Sequence, residues 1–117
     1  MNKLIAFLGA SAVGLGALGA HTLARYLDQS SLESFKTAVF YHILHTIALL
    51  ALRNYPHRPL TVWLWSIGIL LFSGSIYLLV MDSLIGLNFN FLGPITPIGG
   101  LFFIAGWLSL IAPSVNK

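Results

Sequence analysis

No cysteine occurs in these 117 residues, and only three residues are acidic. The first absence excludes disulfides and thiolate metal ligands. The second, with charged residues at 8% in all, leaves too little polar material to clothe a water-soluble exterior. The six Lys and Arg residues are scattered, not gathered into a stripe that would track nucleic acid. No Ser/His/Asp arrangement, phosphate-binding glycine loop or paired-carboxylate site can be assigned. The expectation is a chain that is not an enzyme, has no cofactor, holds no assigned metal and has no nucleic-acid partner.

What is present is apolar. Hydrophobic residues make up 57% of the chain and mean hydropathy is +0.88. Long apolar runs cover residues 4–20, 60–80 and 98–112, and a fourth lies at 39–52. A bilayer core about 30 Å thick needs roughly 20 helical residues, and shorter stretches suffice where polar side chains reach out or the bilayer thins. The fold expected is all-α, an integral membrane bundle of four transmembrane helices in a single domain over residues 1–117. Its loops are too short for a separate soluble catalytic domain of ordinary size. The first run follows Lys3 like a secretory signal but is long for one, so it reads as a retained first helix. With the ends of the chain on one side, Lys3, Arg53, Arg58 and Lys117 face Arg25 and Lys36 across the membrane. The positive-inside rule then puts both termini in the cytoplasm.

Small residues at fourfold spacing mark the first helix, in the sets Ala6, Ala10, Gly14 and Ala12, Gly16, Ala20. Such surfaces let a second helix approach closely, so Gly14 and Gly16 are candidate packing positions. The second helix starts with a capping box of Ser30 and Glu33, with Ser31 as the alternative cap. Leu32, Phe35, Val39 and Ile43 recur at helical spacing, giving an amphipathic N-terminal part that leads into the membrane and runs to about Arg53. Prolines at 56 and 59 make the following turn. Trp63, Trp65 and Trp107 match an interfacial aromatic belt. Ser73, Gly74 and Ser75 form a small polar patch for close packing or for satisfying a side chain. Asp82 marks the outer edge of the third span. The fourth is preceded by a Pro/Gly-rich break, in which Thr96 caps a helix restarted with Pro97 in its first turn.

The polar set with most chemical content is His21, His42 and His45, with Tyr41 and Thr46 close in sequence. Imidazoles inside a membrane hydrogen-bond between helices, exchange protons or bind metal. Two histidines on one helix do not complete a metal site. The candidate polar or ligand site is therefore His21, Tyr41, His42 and His45, joined by Ser73 and Ser75.

The ordered combination of Gly16 to His21, Tyr41 to His45, Leu71 to Tyr77, Gly93 to Gly100 and Phe103 to Trp107 resembles the small bacterial membrane proteins of the family called domain of unknown function 423. That family is similar in turn to a small eukaryotic transmembrane family. Leu18 stands where an aromatic residue is common in the family. The resemblance implies a compact multispan protein of the bacterial cytoplasmic membrane and brings no catalytic assignment. The leading expectation is a noncatalytic structural or accessory component, in contact with membrane lipids and with a homo-oligomer or a membrane-protein partner as candidate assemblies. The alternative is a small transporter or channel component handling protons, ions or a small ligand.

Overall fold

The computed structural model of the chain describes residues 2–86 and 88–111. Lys117, counted in the charge balance, and Ala112, at the end of the fourth apolar run, lie outside the described residues. The chain runs through α1 (Asn2–His21), a 3-10 turn at Leu23–Arg25, α2 (Gln29–Leu52), α3 (Pro59–Gly68), a π-helical segment at Ile69–Ser73, α4 (Gly74–Ile85), a second 3-10 turn at Asn90–Leu92, and α5 (Ile95–Leu108). The α3, π and α4 pieces are continuous and form one third span. Four helical stretches, Asn2–Arg25, Gln29–Leu52, Pro59–Ile85 and Asn90–Leu108, are long and apolar enough to cross a membrane.

Local chemistry sets the ends of these helices, in two places not as the sequence suggests. Asp28, not Ser30, caps α2, accepting the Ser31 amide on Oδ1 at 3.1 Å, while Glu33 accepts from the Gln29 side chain at 3.0 Å. After the Leu23–Arg25 turn, the helix starts two residues earlier than the capping box assumes. Thr96 is not a cap either. Helix α5 begins at Ile95 after Pro94, and Thr96 lies inside it with its hydroxyl paired to Ser75. Pro59 starts α3 and Pro97 falls in the first turn of α5, where a missing amide hydrogen costs nothing. Gly86 ends α4 at φ 74°, a left-handed conformation that favours glycine. Beyond it Asp82 accepts the Phe89 amide at 3.3 Å, tying the outer edge of the third span to the next turn.

Each span packs most closely on its neighbour in sequence: α1 on α2, α2 on the third span, and the third span on α5. One apolar cluster joins Leu8, Leu49, Leu52, Trp65, Ile69 and Phe103, and a second joins Leu27, Leu32, Phe35 and Val80 toward the other end. The outer surface is also apolar, with Phe7 and Leu70 each 69% exposed. This is the surface that a hydrocarbon solvent allows. Trp63 fits the belt at 66% exposed, but Trp65 is a core residue at 1%, its indole N–H donating to the Phe103 carbonyl. Two positions apart on a helix, the two rings point to different faces.

Glycines set the tightest contact. A Cβ at Gly99 would collide with the backbone of Leu71 and Phe72 in the π segment, one at Gly106 with the Trp65 indole, and one at Gly68 with the Phe103 ring. Of the glycines expected to pack, Gly16 lies against Val39 of α2. Gly14 does not pack within this chain, since a Cβ there meets nothing within 4 Å. Gly74 meets only Leu70 of its own helix, at 3.8 Å, because it faces an open groove.

Candidate functional site

The histidines do not converge on one site. His21 ends α1 and is exposed. His42 is joined to α1 at Ser11, about 15 Å along the helix from His21, and His45 turns toward α5. Both His42 and His45 are buried. Among the described residues no cluster of three or more His, Cys, Asp or Glu side chains comes together.

His42 joins three spans. The Ser11 hydroxyl donates to the Leu8 carbonyl at 3.0 Å, so toward His42 Nε2, at 3.2 Å, it offers only lone pairs. Nε2 therefore carries the proton. Nδ1 is then an acceptor and takes the Tyr77 hydroxyl at 2.8 Å. A directed chain results, from Tyr77 through His42 and Ser11 to the Leu8 carbonyl.

His45 has the opposite tautomer. Its Nδ1–H donates to the Tyr41 carbonyl at 3.0 Å, and Nε2 accepts the indole N–H of Trp107 at 3.0 Å. The ring stacks on Phe103 with centroids 3.8 Å apart, and Phe103 stacks in turn on Tyr41. Tyr41 thus contributes a carbonyl and an aromatic face. Ser73 donates to the Ala38 carbonyl at 2.7 Å, binding the π segment to α2. Ser75 pairs with Thr96, binding α4 to α5. His42, His45, Ser73 and Ser75 are therefore bonds between helices, distributed along the bundle, while Tyr41 packs its ring against the third span and α5.

Ser11, Tyr77 and Trp107 escaped the sequence reading as members of this network. Ser11 is the one hydroxyl in the first apolar run, a signal hidden by the small residues around it. Trp107 reads as an interfacial anchor and is 46% exposed, yet its N–H points inward to His45.

Two grooves on the surface reach the buried histidines. One, about 510 Å³, lies between α2 and α5, with His45, Phe72 and Trp107 among its walls. The other, about 410 Å³, lies between α1 and the third span, with His42 and Tyr77 at its floor. Ser66 also lines the second groove, and its buried Oγ has no hydrogen-bond partner.

A family model described as Protein of unknown function (DUF423) matches residues 15–100. The "UPF0382 membrane protein" of Haemophilus influenzae is 42% identical over 112 residues, covering 92% of this chain and 86% of that protein. The "UPF0382 membrane protein YwdK" of Bacillus subtilis is 35% identical over 97% of this chain and 98% of its own length. The "UPF0382 inner membrane protein YgdD" of Escherichia coli K12 is 34% identical over 89% of this chain and 80% of its own length. No solved structure matches. The family match covers most of the four-span bundle, and on these grounds the chain belongs to the DUF423 family of small membrane proteins.

Proposed function

We propose that this chain is a noncatalytic structural or accessory component of the bacterial inner membrane, with both termini in the cytoplasm, that supports membrane integrity or a partner complex. One observation carries the reading: both ring nitrogens of His42 and of His45 are engaged within the bundle, leaving neither imidazole available to a substrate. The chain from Tyr77 to Leu8 also crosses from helix to helix. Ser11 and His42 both lie near the middle of their helices, so the chain stays at one depth and provides no route from one face of the membrane to the other. The Escherichia coli relative, named as an inner membrane protein, supports the location. Crosslinking and pull-down in native membranes, with membrane permeability measured on deletion, test the role. Isolated monomers together with unchanged permeability would count against it.

The second reading, a small transporter or channel component, draws on the directed Tyr77–His42–Ser11 chain beside an open groove. Sealed liposomes holding the purified protein and a pH-sensitive dye decide between the two. Proton or ion flux that falls in His42→Ala would replace the accessory role with this one.

A further inference from the structure

The turn between α2 and α3 joins two recesses that the histidine network does not use. One, about 290 Å³, is walled by residues of the turn itself, among them Arg53, Asn54 and His57. The His57 ring is held there by its Nδ1–H, which donates to the Tyr55 carbonyl at 2.7 Å. The other, about 380 Å³, lies between the last turns of α2 and the end of α5, with Ala48, Ala51, Trp107 and Leu110 among its walls. Leu52 and Trp65, both buried, form its floor. Asn54 and Tyr55 line both recesses, so a basic, polar space adjoins an apolar one. The depth of the pair follows from the spans. Helix α2 ends at Leu52 and α3 starts at Pro59, so the turn lies where two spans leave the hydrocarbon. The exposed rings of Tyr55 and Trp63 stand at the same level.

The side-chain charge at this end has one sign. Arg53 and Arg58 flank the turn and Lys3 lies at the same end of the bundle, while Asp28, Glu33 and Asp82 all lie at the opposite end. Among the described residues no side chain pairs with the Arg53 guanidinium. We infer that the two recesses together bind one anionic phospholipid of the leaflet that holds this turn. The phosphodiester lies against the Arg53 guanidinium, the Asn54 carboxamide donates to a phosphate oxygen, and an acyl chain lies in the apolar recess between α2 and α5. Charge complementarity selects this occupant. Basic side chains beside a membrane surface attract a net-anionic headgroup, whereas the choline cation of a zwitterionic lipid meets only like charge. A soluble phosphate would leave the apolar recess unused, and an uncharged lipid the basic one. The inference does not depend on the accessory role.

Native mass spectrometry of the whole chain, released from detergent containing equal phosphatidylglycerol and phosphatidylcholine, tests it. The expected result is one phosphatidylglycerol retained several-fold over phosphatidylcholine. Arg53→Gln lowers phosphatidylglycerol retention about five-fold, the contribution of one basic residue at a membrane surface, and Arg53→Lys keeps most of it. Lys3→Gln, at the same end of the bundle but lining neither recess, changes the ratio of the two lipids far less. Ala51→Leu, at an exposed position of α2, fills the apolar recess and lowers retention while thermal unfolding by circular dichroism stays unchanged. Equal retention of the two lipids by the native chain, an equal loss in Arg53→Gln and Lys3→Gln, or full retention by Ala51→Leu overturns the site. Displacement of phosphatidylglycerol by excess glycerol phosphate overturns it as well, since the turn would then be a site for a soluble phosphate.

Discussion

His42 and His45 are three positions apart on α2 and yet belong to separate networks, His42 reaching α1 and α4, His45 reaching α5. Tyr77→Phe leaves His42 Nδ1 without its donor. Hydrogen bonds between membrane helices average about 0.6 kcal/mol and reach about 1.7 kcal/mol. The expected loss is about 1 kcal/mol in a detergent unfolding titration, and an unchanged midpoint would mean that the bond does not hold α2 to α4. At the water-exposed start of α2, the Ser31 hydrogen bonds pull the Asp28 carboxyl below the usual aspartate range. A lowered folded value means that the cap contributes stability above the unfolded pKa and loses it as pH falls through the folded one. The protection of the Ser31 amide from hydrogen exchange, taken relative to the intrinsic rate at each pH, should fall below about pH 4 in the native chain. In Asp28→Asn, which caps without titrating, that loss of protection should be missing. The sequence holds three cap-type residues within four positions, Asp28, Ser30 and Ser31, and the Ser30–Glu33 spacing pointed to the wrong one. The choice was made by the preceding 3-10 turn, a feature that hydropathy and periodicity do not report.

At the scale of the helices, the contrast between Gly14 and Gly99 shows what small residues do here. A methyl group at Gly14 points into lipid, so Gly14→Ala should be tolerated or should stabilise the chain by up to about 1 kcal/mol through helix propensity. A methyl group at Gly99 meets backbone atoms of the π segment, which cannot turn aside as a side chain can. Gly99→Ala should cost about 2 kcal/mol or more, or prevent folding. Thermal unfolding of the two variants measures both, and equal stability would mean that α5 does not seat on the π segment as described. The fourfold spacing in α1 was legible in the sequence; which of its two stripes meets α2 was not. Spacing fixes which residues share a face, and only the partner's rotation settles which face is covered. The π segment left no sign in Ile69–Ser73, which contains neither proline nor glycine. The apolar runs, by contrast, located all four spans, because bilayer thickness and solvent dictate their length and composition, although the runs at 39–52 and 98–112 begin ten and eight residues into the helical stretches Gln29–Leu52 and Asn90–Leu108.

Over the whole molecule, the principal extents of 49 × 27 × 20 Å give a thin bundle whose longest dimension exceeds a hydrocarbon core of about 30 Å. Cutting the chain within the turn between α2 and α3 leaves two helical hairpins joined by Ser73 to Ala38, Tyr77 to His42 and Trp107 to His45. The two halves, expressed together, should copurify from membranes, and Tyr77→Phe combined with Ser73→Ala should weaken the association. Recovery of each half alone would show that covalent connection, not packing, holds the hairpins together. The pairing of every span with its neighbour in sequence has a further consequence, for synthesis. As the chain leaves the ribosome at roughly 5–20 residues per second, each new helix finds its packing partner already in the membrane. Only the first span waits, and only for the next helix made, so assembly can keep pace with translation and end when α5 closes on the third span.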